Sequence, residues 1–213
     1  RSQNGRYHCR KQEMRGDTVG SYTVIADAGR SLVSLLQKNM IPEPLQKPED
    51  IGLCTPDEPG NARLGLFLYD IEEVPESRNR ERIELDKEHY RNPPTSLYLY
   101  YMLFVRMESE IANRAVDEQR ILGRAIQVLN DYNRMAAEDL QGTLKENGEN
   151  LDIQGLVLPF EEKHKVYSLF QQKGLHSFFY KVGPVFLDAA RIRRIQRVTE
   201  AKIDIQQKAR GHR

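Results

Sequence analysis

Charge of one sign is missing from this sequence. Its 32 Lys and Arg stand against 31 Asp and Glu, a formal net charge of +1, so no global field draws the chain to nucleic acid or to a membrane. Cysteine is scarce. Cys9 and Cys54 sit in unrelated contexts and make neither a ligand pair nor a disulfide framework, which leaves reduced, cytoplasmic synthesis and assembly as the expectation. No apolar run approaches the ~20 residues of a spanning helix, and no signal peptide is visible. The glycines form neither a dinucleotide fingerprint nor a phosphate-binding loop. His8, His89, His164, His176 and His212 are scattered, none with another ligand type at metal spacing. The acid pairs Glu72-Glu73 and Glu161-Glu162 are adjacent along the chain and converge on nothing; a strand end and a helix start explain them. No catalysis, cofactor, metal or small-molecule substrate is expected.

What the chain does have is two short runs that are apolar on both sides. Asn92–Met107 opens with Pro93-Pro94, which stop whatever precedes them. Read with a period of two, it then places Leu97, Leu99, Tyr101, Leu103 and Val105 on one face and Tyr98, Tyr100, Met102 and Phe104 on the other. A strand greasy on both faces is central and covered above and below. Leu64–Ile71 repeats the arrangement, with Leu64, Leu66 and Leu68 opposed to Phe67, Tyr69 and Ile71. The two runs read as paired neighbours in mid-sheet. Tyr98, Tyr100, Tyr101 and Phe104 lack the interleaved Lys and Arg of a base-stacking surface, so core is the better reading for them.

The remaining elements follow in order. Thr23 or Ser21 can cap a helix to about Asn39 with Ile25, Ala28, Leu32, Leu35 and Leu36 on its stripe, ended by Ile41-Pro42. Ile51–Cys54 reads as a short strand. Asn113 or Asp117 begins a helix to about Asn130 with Ala115, Leu122, Ile126 and Leu129 on its apolar face, flanked by Ile121, Ala125 and Val128. Gly123 within it costs about 1 kcal/mol relative to Ala, which predicts close packing on the sheet. Leu151–Leu158 is a strand and Phe160–Lys173 an amphipathic helix. Leu175–Val182 is a strand that Gly183-Pro184 breaks and Val185–Leu187 resumes. Lys145–Asn150 is turn chemistry. The 213 residues and 24.7 kDa suit one domain: residues 21–190 as a single α/β (α+β) unit, a mixed sheet with helices packed on it. Arg1–Gly20 is expected to be a flexible N-terminal extension, with Met14 as the candidate start, which the intact mass of the native protein would check.

Two stretches do not fit a private core. Pro75–Pro94 joins the central strands with about twenty residues where a hairpin needs two to five, and its mixed charges suit either a protruding arm with polar partners or a solvated loop. The tail, 191–213, carries eight Arg or Lys against Glu200 and Asp204. Its Ile and Val are too sparse for a core, so it is either solvated or finds apolar partners on another subunit. The contact candidates in the arm are Arg78, Asn79, Arg80, Arg82, Glu84, Lys87 and Tyr90. Those in the tail are Arg191, Arg193, Arg194, Arg197, Lys202, Ile203 and Ile205.

Four blocks in this order carry a resemblance: Leu64-Gly-Leu-Phe-Leu-Tyr-Asp-Ile-Glu-Glu-Val with Arg78-Asn79 after it; Asn92-Pro-Pro-Thr-Ser-Leu-Tyr-Leu-Tyr-Tyr-Met-Leu; Asp117-Glu-Gln-Arg-Ile-Leu-Gly-Arg-Ala-Ile-Gln-Val-Leu-Asn; and Tyr180-Lys-Val-Gly-Pro-Val-Phe-Leu-Asp. From Thr23 to Asp188 the chain resembles the cap, or tube-terminator, proteins of extracellular contractile injection systems, phage-tail-like particles. The resemblance implies a tail-terminator-like fold and a homo-oligomer, usually a hexameric ring. That ring would sit on the distal end of the inner tube protein, stop its growth and anchor the last layer of sheath protein, in a particle that is extracellular or cell-associated. A closed ring needs two different complementary faces on each subunit, and the arm and the tail are the candidates. Two readings from other classes stand beside it. One is a nucleic-acid-binding module using Arg191, Arg193, Arg194, Arg197 and Lys202, testable by salt-dependent binding. The other is a small hydrolase with an unrecognised site.

Overall fold

The structure is a computed structural model that describes residues 22–75, 81–86, 88–107, 114–171 and 175–194. Its centre is two long strands, β2 (Leu64–Glu73) and β5 (Thr95–Val105), paired antiparallel as their shared alternation predicts. Short β1 (Ile51–Leu53) lies parallel to β2 on one edge. β8 (His176–Leu187) flanks β5 on the other side, followed by β7 (Leu151–Leu156) and the two-residue β6 (Arg134–Met135). The strand order is β1-β2-β5-β8-β7-β6, and every pair except β1–β2 is antiparallel.

Both faces are covered where β2 begins and β5 ends, as the doubly apolar strands require; toward the other end Asp70, Ile71 and Glu72 are exposed, and Tyr98 and Tyr100, expected in the core, are half-buried. On the aliphatic face, Leu64, Leu66, Leu99, Tyr101 and Leu103 pack beneath α1 (Val24–Met40), α2 (Arg114–Asp131) and the short α3 (Gly142–Glu146). Helix α1 contributes Ala28, Leu32 and Leu36, all essentially inaccessible to water. On the aromatic face, Met102, Phe104 and Phe179 are sealed by α4 (Phe160–Tyr167) through Val166, with Phe170 edge-on to Phe67 at 5.1 Å. Burial of such side chains contributes roughly 1.5–3 kcal/mol each. That is the main force holding the helical layers to the sheet.

Two bulges alter the pattern read from the sequence. In β2, Leu68 stands opposite Tyr101 and Asp70 opposite Tyr100, so Tyr69 is an extra residue. The alternation shifts by one, and Ile71 pairs with Leu99 on the aliphatic face, not with Phe67 and Tyr69 as predicted. In β8, Leu97 faces Val185 and Leu99 faces Val182, leaving Gly183 and Pro184 opposite the single Tyr98. Gly183-Pro184 therefore bulges one continuous strand where a break was expected. Gly183 has φ +127, and a Cβ there would lie 2.9 Å from the Leu97 carbonyl oxygen, a conformation open to glycine alone.

Three further expectations are corrected. Gly123 does not pack on the sheet: it is exposed, and a Cβ on it would meet nothing within 4 Å. The buried face of α2 centres on Ile121, Ala125, Val128 and Leu129, with Ala115 exposed. Helix α4 ends at Tyr167, earlier than predicted, because its last turn tightens (Leu169 N–H to Val166 O, 3.1 Å) and Asp57 captures the Gln171 N–H at 3.0 Å, steering Phe170 onto Phe67.

The weakly patterned stretch after α2 is fixed by one buried carboxylate. Asp27 of α1 accepts the Thr143 N–H at 3.2 Å, the Thr143 hydroxyl at 2.9 Å and the Thr23 hydroxyl at 2.9 Å. Ser31 Oγ accepts the Gln141 N–H at 2.9 Å. Asp27 thus caps the start of α3 from a distant point of the chain. Gly142, at φ +58, lies directly over it, and a Cβ there would come within 2.5 Å of the carboxylate.

Candidate assembly surface

β2 ends, β5 begins and β8 ends at the same margin of the sheet, since the three are antiparallel neighbours with Glu73 opposite Leu97 and Thr95 opposite Leu187. The arm leaves β2 and returns to β5 at that margin, and the tail leaves β8 there. The topology alone therefore brings arm and tail together, and they pair. β3 (Ile83–Glu84), β4 (His89–Arg91) and β9 (Ile192–Arg194) form a second, three-stranded antiparallel sheet in that order. β4 and β9 prolong the β5–β8 ladder beyond the interruption at Asn92-Pro93-Pro94, with Arg91 opposite Ile192 and Tyr90 opposite Arg193. Over the described residues, 83–84, 89–91 and 192–194, arm and tail pair with each other.

The arm's hairpin turn is held by Asp86. Its carboxylate accepts the Glu88 N–H at 2.7 Å, the His89 N–H at 2.8 Å and His89 Nδ1 at 2.9 Å. The Glu88 N–H, then the His89 side chain, with the His89 N–H and charge behind them, hold the Asp86 carboxyl below its ordinary value against the opposing effect of desolvation. Across the strands, Arg194 reaches Glu88 at 2.8 Å, and the Arg82 guanidinium lies 4.7 Å over the Tyr90 ring. Paired residues share a face. One face carries Ile83, Arg91 and Ile192 with His89 and Arg194; the other carries Glu84, Tyr90 and Arg193. Ile192 is 59% exposed, and Arg191, Arg193 and Arg194 are exposed.

Of the sequence candidates, Arg82, Glu84, Tyr90, Arg193 and Arg194 are thus gathered on this small sheet, with Arg191 leading into it. Arg78, Asn79, Arg80, Lys87, Arg197, Lys202, Ile203 and Ile205 lie outside the described residues. Sequence reasoning missed His89, Arg91 and Glu88. The polar run Asp86-Lys87-Glu88 in the sequence between Leu85 and His89 was the available signal.

Elsewhere polar groups serve the fold. A shallow cavity of about 330 Å³ is lined by Asp50, Arg63 and Arg106. There Asp50 accepts the Gln46 and Lys47 N–H groups at 3.2 and 3.0 Å, and Arg106 donates to the Pro56 carbonyl at 3.1 Å. Nothing converges in it on a point where a substrate atom could react. Among the described residues, no three His, Cys, Asp or Glu side chains meet as a metal site, and no helix is long and apolar enough to cross a membrane.

The family model described as the Pvc16 N-terminal domain matches residues 27–201. A cryo-EM structure of an extracellular contractile injection system, that of the PVC sheath/tube terminator in the extended state, matches with a TM-score of 0.56 at 16% identity. The match covers 87% of this chain and 64% of that one, so this chain spans less than two thirds of its length. The likeness is one of fold, a mixed α+β domain. No curated protein matches at a significant level.

Proposed function

This chain belongs to the Pvc16 N-terminal domain family, and from that membership we propose that it is a structural cap of a contractile injection system, without enzymatic turnover. In this reading copies of it close into a homo-oligomeric ring, a hexamer, on the distal end of the inner tube. The ring stops tube growth and gives the last sheath layer an anchor. The particle assembles in the cytoplasm of the producing cell.

The observation that carries the reading is the small sheet. Its strands are two or three residues long; Glu84 and the residues of β9 are exposed, and Ile83 and the residues of β4 are half-buried. A sheet of that size has no core of its own and is marginal in water. Projecting from the stiff end of β2, β5 and β8, it is built to be completed by something outside the domain. The domain of residues 21–190 supplies the rigid wedge, and arm plus tail supply the contacts to tube, sheath or neighbouring copies. Of the residues the nucleic-acid alternative would use, Arg194 is already engaged by Glu88, while Arg191 and Arg193 are exposed.

The test uses assembled particles from cells that carry the full gene, a deletion of Glu81–Arg91, or a stop after Ala190. Negative-stain images should show uniform tube length with the full chain, and overgrown or unsheathed tubes with either deletion. Sheathed particles of normal length in cells lacking the protein altogether would overturn the proposal.

A further inference from the structure

The corner between β7 and α4 holds two apolar side chains in water, Val157 at 94% exposure and Phe160 at 82%. The corner is anchored, since Leu158 between them packs into the aromatic-face cluster and the Phe160 ring stacks on His164 at 6.3 Å. Glu161 and Glu162, both exposed, follow directly. A large apolar pair on a fixed corner, flanked by acids, has the composition of an interface anchor.

A matching receptacle lies on the opposite side of the same subunit. A groove of about 250 Å³ runs between α1 and β1, lined by Arg30, Val33, Ser34, Gln37, Leu53 and Gln141. Its floor is firm, because Leu53 packs over Gly29, and Leu53 is still 47% exposed. Its rim is basic: the Arg30 side chain is 64% exposed, although it reaches back 3.5 Å to Asp27. The two features are separated by layer and by edge. α1 covers the aliphatic face and α4 the aromatic face. β1 is an edge strand and β7 lies four strands across from it, roughly 19 Å at the usual strand spacing.

We propose that Val157 and Phe160 of one copy enter the α1–β1 groove of the next copy, with Glu161 and Glu162 facing Arg30. This rests on the ring reading above and names the two faces that close the ring. Corner and groove lie on opposite faces of the sheet and four strands apart, so a head-to-tail contact between them, repeated from copy to copy, closes or propagates.

The experiment uses the full chain with Cys9 and Cys54 replaced by Ser, and Phe160→Cys combined with Val33→Cys. Oxidation, in solution and on purified particles, should yield covalent multimers that run up to the ring size. A mixture of the two single variants should stop at dimers. Phe160→Asp should lower the ring population at least tenfold in native mass spectra while leaving the melting temperature unchanged, since the side chain lies in water in the monomer. Charge reversal at Arg30 should weaken the ring, and reversing Glu161 and Glu162 as well should restore it. Rings that form normally without the cross-link, and that ignore Phe160→Asp, would overturn this contact and leave the cap reading standing. Absence of rings from the unmodified chain, both in solution and on tube ends, would overturn both.

Discussion

Gly123 stands exposed in the middle of α2 with open space where a side chain would be. Nothing in the monomer requires its flexibility, so Gly123→Ala removes backbone freedom from the unfolded chain at no steric cost. The variant is expected to be more stable by about 0.5–1 kcal/mol, read as a higher urea midpoint at unchanged slope. Gly142 is the opposite case. Its positive φ and the Asp27 carboxylate beneath it leave no room for a Cβ, and Gly142→Ala should cost well over 1 kcal/mol by the same measurement. Asp27 itself is 4% exposed. Burial is the largest single influence and pushes its carboxyl upward. The Thr143 hydroxyl, the Thr23 hydroxyl, the Thr143 N–H and the Arg30 charge together outweigh it, and the net shift is below the ordinary value of 3.8. A group lowered on folding contributes stability that is present above its unfolded value and lost as pH falls through the folded one. Asp27→Asn is therefore expected to be less stable than the parent by ~1–3 kcal/mol at pH 7, and the gap should narrow below pH 3.8. A constant gap across that range, in unfolding followed at pH 7 and pH 3, would show that the carboxylate charge contributes nothing.

At the scale of elements, the outer sheet and the domain should come apart in stability. β3, β4 and β9 bury little, and the Arg194–Glu88 pair has side chains 72% and 60% exposed, a surface contact worth about 0–1 kcal/mol. Ending the chain after Ala190 should shift the melting temperature by no more than a few degrees. In native-state hydrogen exchange, amides of β4 and β9 should open far below the global free energy, while those of β5 and β8 should need nearly all of it. A large loss of stability on truncation would mean that the tail holds the domain together and is not an attachment to it. The pairing of β2 with β5 was readable from their alternation, because burial on both faces writes itself into every second residue. The bulges at Tyr69 and Gly183 were not, since an extra residue is defined only against the partner strand. The clasp between Asp27 and Thr143 joins residues 116 positions apart, and no local periodicity marks it. β3, β4 and β9 are too short to carry a period at all. The arm and tail drew notice through length and charge, but their union follows from the common margin of β2, β5 and β8, a property of topology.

For the whole molecule, the balance of 32 basic against 31 acidic side chains removes long-range repulsion between copies, so the proposed ring would meet little electrostatic cost on closing. The two kinds of contact assigned to the subunit then differ in their response to salt. The corner-and-groove contact is apolar at its centre, with charges only at its rim. Raising ionic strength from 0.15 M to about 0.5 M shortens the screening length from ~8 Å to well under that, which trims the rim but leaves the buried anchor. Among the described residues, docking through the exposed Arg191 and Arg193 has no such anchor beyond Ile192. Rings should therefore persist at about 0.5 M salt while their hold on tube or sheath loosens, seen as free rings appearing beside bare tube ends in the same images. The reverse order, with rings falling to monomers while tube ends stay capped, would place the salt-sensitive contact between copies and the apolar one against the tube. That outcome would exchange the roles of the arm–tail sheet and the β7–α4 corner.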